Sequence, residues 1–132
     1  LPIRLGEDVG VVIDAVIGER DESWHLVRVD FDGGGLWVRD TGLPLGRHVR
    51  TRILARDVSL SLEHHAGTSI LNLLQGRVAE LAGDSHPALA LVRVDVGSQS
   101  IVARVTKRSA DSLGLKPGMP VWTQIKAVAL IG

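Results

Sequence analysis

The side chains with chemistry to offer are concentrated in the second half of the chain. Thr106 and Ser109 flank the first turn of a helix predicted over Thr106 to Leu115. Unsatisfied N–H groups and the dipole at such a turn favour an anion, and the two hydroxyls add donors. Lys126, an isolated ammonium inside the apolar run 121–131, would act as a point charge. Residues 68–132 hold seven basic side chains against four acidic ones, a net of +3, and include all three lysines. Residues 1–67 hold eight arginines against eleven acids, a net of −3, so the whole chain sums to zero. Scatter over solvated faces could produce this asymmetry, yet it says which half to search for an anion site.

Other chemistries find less support. His64 and His65 are adjacent, so on a strand they point apart, and no third ligand has matching spacing; a metal is not expected. There is no Gly-x-x-x-x-Gly-Lys-Ser/Thr phosphate loop, no Ser-His-Asp set and no paired-carboxylate pocket arguable from spacing, so the chain is not expected to be an enzyme. With four aromatic residues and no net charge, it lacks the stacking platforms and basic groove of a nucleic-acid surface. Trp24, Trp37 and Trp122 are expected to be core or interface anchors. The absence of cysteine rules out disulfides and thiolate metal sites and is compatible with a reducing compartment. No run approaches the ~18 apolar residues of a spanning helix, and no secretory signal is visible. The start at Leu1 suggests an excised fragment.

The elements that must position these residues are mostly short strands. Val9–Ile17 is β-branched and reads as a buried strand, with a charged turn over Gly18–Ser23. Trp24–Phe31 alternates, Asp32-Gly33-Gly34-Gly35 is a hairpin turn, and Leu36–Arg39 pairs back across it. After a Gly- and Pro-containing loop over Asp40 to Gly46, His48–Leu54 and Val58–Leu62 complete a set of five. The predicted helix has Thr106 as N-cap, Gly114 at C′ and Pro117 beyond it. Val121–Ile131 supplies the last strands, and Leu1 to Asp8 reads as a linker remnant or edge extension.

The two halves are versions of each other. Leu26-Val27-Arg28-Val29-Asp30 recurs letter for letter as Leu91-Val92-Arg93-Val94-Asp95, 65 positions later. Gly10-Val11-Val12 lies upstream of the first copy as Gly76-Arg77-Val78 lies upstream of the second. Leu36-Trp37-Val38-Arg39 answers Ile101-Val102-Ala103-Arg104, and Gly46-Arg47-His48-Val49 answers Gly118-Met119-Pro120-Val121 at a shift of 72. The helix accounts for the extra seven residues. The expected architecture is therefore mainly β: two tandem OB-like five-stranded barrels with a short helix in the second, a sandwich being the alternative. The first module is expected over 1–66 and the second over 67–132. Each is near the lower size limit for a self-sufficient core, so they should pack on each other or on a second chain.

These residues resemble a known family. Ala55-Arg56-Asp57-Val58-Ser59-Leu60-Ser61-Leu62, followed by Thr68-Ser69-Ile70-Leu71-Asn72-Leu73-Leu74, resembles the C-terminal regulatory region of the ATPase subunit of bacterial molybdate ABC importers. Thr68 to Leu130 is similar to the molybdate-binding Mop domain. Its marks are Thr68-Ser69-x-x-Asn72, Gly76-x-Val78, Val105-Thr106-x-x-Ser109, Leu113-Gly114-Leu115-x-x-Gly118 and Ile125-Lys126-Ala127. The first module is similar to the related TOBE domain.

The resemblance implies a di-Mop/TOBE architecture and a molybdate or tungstate oxyanion held at a subunit interface. Carried over by position, its ligands are Ser69, Thr106, Ser109 and Lys126. It implies a homodimer or higher assembly, an ATPase domain on the same chain and, through it, the importer's membrane subunit. The location implied is cytoplasmic, peripheral to the inner membrane. Binding would inhibit import, with the ATP chemistry in a domain outside this sequence. The chain departs from many binding members at Leu71, where they carry Arg, and at Ala127, where they carry Ser. Those departures favour the alternative, a structural dimerisation domain with a degenerate oxyanion site. Each candidate also has an ordinary structural role available: a cap for Ser69 or Thr106, a solvated helix position for Ser109, an edge lysine for Lys126.

Overall fold

A computed structural model describes residues 9–132. The linker or edge extension expected over 1–8 lies outside the described residues. The first half forms β1 (Gly10–Asp21), β2 (Leu26–Phe31), β3 (Gly34–Arg39), β4 (His48–Leu54), a 3-10 turn over Ala55–Asp57 and β5 (Val58–Ser61). The second forms β6 (Asn72–Gly83), β7 (Leu89–Val96), β8 (Gln99–Thr106), α1 (Lys107–Leu113), β9 (Pro120–Ile125) and β10 (Ala129–Leu130). Alternation decides the faces. In β1, Val11, Ile13, Ala15 and Ile17 are buried, and the residues between them look outward.

Two curled five-stranded antiparallel sheets result, half-barrels of a tandem OB-like fold, one of them carrying the helix. Their strand orders are β10-β4-β1-β2-β3 and β5-β9-β6-β7-β8. The fifth strand of each set crosses over. Val58–Ser61, counted with the first five strands in the sequence reading, pairs with β9 instead, Val58 opposite Ile125 and Ser61 opposite Trp122. In return, Ala129 and Leu130 pair with Arg52 and Thr51 of β4. The 3-10 turn at Ala55–Asp57 redirects the chain, and the Asp57 carbonyl accepts from the Lys126 N–H, tying the two crossing segments together. Alternation predicts which face of a strand is buried but not which sheet receives it, so this exchange is silent in the sequence.

Two sequence expectations are corrected. The charged segment at Gly18 is a bulge, not a turn: β1 runs through it to Asp21, with the register slipping between Ile17 and Glu19. A Cβ at Gly18 would fall 1.8 Å from an Asp30 carboxylate oxygen, so a larger residue there would have to displace the Asp30 side chain. β6 slips equivalently between Val78 and Glu80, so first-strand residues match second-strand ones 61 positions later. The counterpart of Gly76 is thus Ala15 rather than Gly10; Ala15 faces Val49 as Gly76 faces Val121.

The repeat extends into the interior. Thr51 and Thr123 are wholly buried and 72 positions apart; their hydroxyls donate to the carbonyls of Ile13 (3.0 Å) and Leu74 (2.8 Å). Each satisfies a polar group that would otherwise be costly to bury. One hydrophobic cluster runs through both sheets, from Ile13, Ile17, Leu36 and Ile53 to Leu91, Ile101, Val121 and Ile125. The equivalent hairpin tips meet each other. Gly97, at φ +60°, has no room for a Cβ, which would lie 2.6 Å from the Gly33 Cα. Beside them the Asp32 carboxylate accepts from the Ser98 N–H at 3.0 Å, and Ser98 holds that carboxyl below its ordinary range.

Candidate functional site

Thr106 and Ser109 are brought together where β8 passes into α1. Thr106 is the N-cap: extended at φ −73°, ψ 149°, it accepts from the Ser109 N–H at 3.0 Å. Its own hydroxyl donates to Ser109 Oγ at 2.9 Å. At the other end Gly114 adopts the left-handed conformation at φ 64° and its N–H reaches the Ala110 and Asp111 carbonyls. The sequence punctuation of this helix is therefore read correctly at both ends.

Both hydroxyls line an open cleft of about 370 Å³, with Ser59 and Leu60 of β5, Arg104 and Val105 of β8, and Ser112 and Leu113 of α1. The wall from β5 exists because that strand crosses between the sheets. Arg104 pairs with the fully shielded Asp84 at 2.6 Å. Burial pushes the Asp84 carboxyl up, but hydrogen bonds from Arg104 and the Ser85 N–H outweigh it and hold the group below its usual value. Arg104, Ser59 and Ser112 were not singled out from sequence; nothing in their local pattern distinguishes them from other surface polar residues.

Ser69 and Lys126 do not line this cleft. Ser69 is exposed in the loop before β6, and Lys126 is exposed one residue past the end of β9 rather than inside a strand. The last pair of the ladder joins Asn72 to Ile125, and Leu71 and Lys126 leave the two strands there, with Ser69 two residues before Leu71. Leu71 is 58% exposed. Asn72 and Thr68 of the Thr-Ser-x-x-Asn segment bond within the fold. The Asn72 side-chain oxygen accepts from the Trp37 N–H at 2.8 Å, and its amide donates to the Trp37 carbonyl at 2.9 Å, pinning the edge strand β3 to the second sheet. The Thr68 hydroxyl accepts from the Ile70 N–H at 3.2 Å.

Of the expected anchors, Trp37 and Trp122 are half-buried, whereas Trp24 stands 75% exposed in the turn between β1 and β2. His64 lies in a loop and meets the Trp122 ring in a T-shaped arrangement, 4.7 Å between centroids. Among the described residues no group of three or more His, Cys, Asp or Glu is placed to hold a metal, and no helix is long and apolar enough to cross a membrane.

Tandem OB-like half-barrels, one carrying a short helix beside an open cleft, define the architecture, and comparison with known proteins gives its family. The TOBE domain family matches residues 68–132. A molybdenum import ATP-binding protein ModC of Methylococcus capsulatus is 61% identical over 99% of the chain. A ModC of Thiobacillus denitrificans is 60% identical over all of it, and a ModC 1 of Azotobacter vinelandii is 43% identical. The chain spans 36–37% of the length of these relatives. It belongs to the TOBE domain family, as the TOBE region of a protein of the ModC type. A crystal structure of the cytoplasmic molybdate-binding protein ModG, with molybdate bound, superposes with a TM-score of 0.73 at 25% identity, covering 91% of this chain and 94% of that one. The ATP binding named in the ModC relatives has no phosphate-loop counterpart in these 132 residues.

Proposed function

We propose that this chain is the regulatory domain of a molybdate or tungstate importer ATPase, and that it binds the oxyanion where two copies meet. The observation that carries this reading is the end-to-end likeness to ModG in its molybdate-bound form. Thr106 and Ser109 supply adjacent hydroxyls on one side of β5, while Lys126 sits exposed just past the end of β9 and Ser69 in the exposed loop before β6. No single chain closes all four around one ion, as expected of a site completed by a partner copy. In such a site, hydroxyls, backbone N–H groups and one ammonium surround a tetrahedral dianion.

In the full-length protein the partners would be the ATPase domain of the same chain and, through it, the membrane subunit, placing this domain at the cytoplasmic side of the inner membrane. Inhibition of import requires the oxyanion to bind one arrangement of the ATPase domains better than the other.

A second reading has its own support. Asn72 is committed to Trp37, and Leu71 offers no guanidinium beside Lys126. On this reading the domain pairs chains and holds no ligand. Thermal unfolding with molybdate, and with sulfate as control, separates the two. Molybdate at about 100 times its dissociation constant adds about 2.7 kcal/mol of stability. A molybdate-specific rise that is lost in Ser69→Ala/Lys126→Ala supports the regulatory reading. A dimer whose melting ignores millimolar molybdate overturns it in favour of the structural one.

A further inference from the structure

The cleft beside α1 holds more than the two hydroxyls expected of it. Among the described residues that line it, Ser59, Thr106, Ser109 and Ser112 carry hydroxyls, Arg104 is the one charged group, and none is a carboxylate. The open clefts elsewhere differ: the one at Gly76 includes Asp95, and the one at Gly18 includes Glu19, Asp21 and Glu22. Alternation along β8 puts Arg104 on the same side of the strand as Thr106. Ser112 lies three residues beyond Ser109, so one face of α1 carries both. Ser112 is exposed, and its hydroxyl makes no hydrogen bond among the described residues. Arg104 is held in place: its side chain is 15% exposed and its Nε meets Asp84 at 2.6 Å. That carboxylate is wholly shielded and does not line the cleft, so of the pair only the arginine reaches it. Its counterpart in the first half, Arg39, is exposed and has no ion pair among the described residues. The anchored arginine is therefore particular to the half that carries the cleft.

We propose that Arg104 and Ser112 are ligands of the oxyanion alongside Thr106 and Ser109, with the arginine as the second positive charge of the site. The charge count points to it. Molybdate and tungstate are dianions, and among Ser69, Thr106, Ser109 and Lys126 only Lys126 is a cation. A guanidinium can serve a carboxylate along one edge and a second anion along another. A preset fork beside three hydroxyls suits a tetrahedral group whose oxygens accept in several directions. Leu60, Val105 and Leu113 on the same walls lower the local dielectric, which strengthens each charge-assisted bond. The proposal rests on the oxyanion reading and adds two residues to it.

Isothermal titration of the 132-residue chain with sodium molybdate, and with sodium sulfate as control, tests it in wild type and three variants. Ser112→Ala is expected to weaken molybdate binding about ten-fold with ligand-free Tm unchanged, because the hydroxyl it removes bonds nothing in the fold. Arg104→Lys keeps a cation beside Asp84 but loses the fork, and is expected to weaken binding about ten-fold or more. Asp84→Asn separates contact from support. If Arg104 meets the anion, removing the competing carboxylate leaves binding as tight or tighter; weakening equal to that of Arg104→Lys would mean the pair only frames the cleft, and would overturn the arginine as a ligand. Affinity within about two-fold of wild type in Ser112→Ala or Arg104→Lys overturns the proposal for that residue and leaves the oxyanion reading intact. A wild type that binds no molybdate at millimolar concentration overturns both.

Discussion

Replacing Asn72 by alanine tests the most specific polar link in the fold. Trp37 lies on β3, an edge strand, and its N–H and C=O point away from β2. The Asn72 amide takes both at 2.8 and 2.9 Å and is itself only 9% exposed. Truncation removes two hydrogen bonds and leaves a donor and an acceptor in a partly buried seam. At about 1–2 kcal/mol for each stranded group, the expected loss is about 2–4 kcal/mol. With an unfolding entropy of about 2.1 cal/mol/K per residue over the 132 residues, that is a fall in Tm of roughly 7–14 °C. Differential scanning calorimetry gives the shift, and hydrogen exchange should show the Trp37 amide losing protection. Asn72→Asp keeps the acceptor and loses the donor, so the Trp37 amide should stay protected in it. A Tm drop below about 2 °C for Asn72→Ala, with Trp37 still protected, would refute the clamp. If its main effect were instead to abolish a molybdate-induced shift at unchanged stability, Asn72 would be a ligand and not a clamp.

Three further outcomes are expected. Thr106→Ala removes the cap on the Ser109 N–H and should cost about 1 kcal/mol by urea unfolding, while Thr106→Ser should cost little. Gly97→Ala should destabilise by about 2 kcal/mol or more, because the methyl meets Gly33 and the φ of +60° strains a side chain; an effect below 0.5 kcal/mol, about the size of an ordinary surface change, would mean the hairpin tips are not in contact. The folded Asp84 carboxyl lies below its ordinary 3.8, so its contribution is complete above that pH and is lost as the pH falls through the folded value. Asp84→Asn should therefore lower stability at pH 7 and flatten the acid limb of the stability profile below about pH 4; parallel profiles for the two proteins would contradict the Arg104 pairing.

Much of this fold was legible because its signals are local. The helix carries its own stop signs in Thr106 and Gly114, and the first hairpin carries its turn in Asp32-Gly33-Gly34-Gly35. The repeated Leu-Val-Arg-Val-Asp carries the duplication, and the buried Thr51 and Thr123, which nothing local marks, keep the shift of 72 seen at Gly46 and Gly118. What escaped depends on partners rather than patterns. Val58 and Leu60 alternate equally well in either sheet, so their pairing with β9 leaves no trace in their own sequence. At Gly18 the bulge escapes because a glycine among charges looks the same in a turn and in a bulge. At the site, the adjacency of Thr106 and Ser109 follows from spacing, while the diversion of Asn72 to Trp37 spans 35 residues and has no local signature.

The crossing of β5 and β10 has a consequence for how such a protein could arise and be cut. A duplicated ancestor would have had two self-contained copies; here each copy has lent its last strand to the other, and neither half is a complete object. The segment 68–132 that matches the TOBE family stops short of β5, so on its own it would leave the β9 edge open over Trp122 to Ile125. Such bare edges invite pairing with other chains. Dividing the chain between its repeats would thus yield two sticky fragments that should reassemble when mixed, each carrying the strand the other lacks.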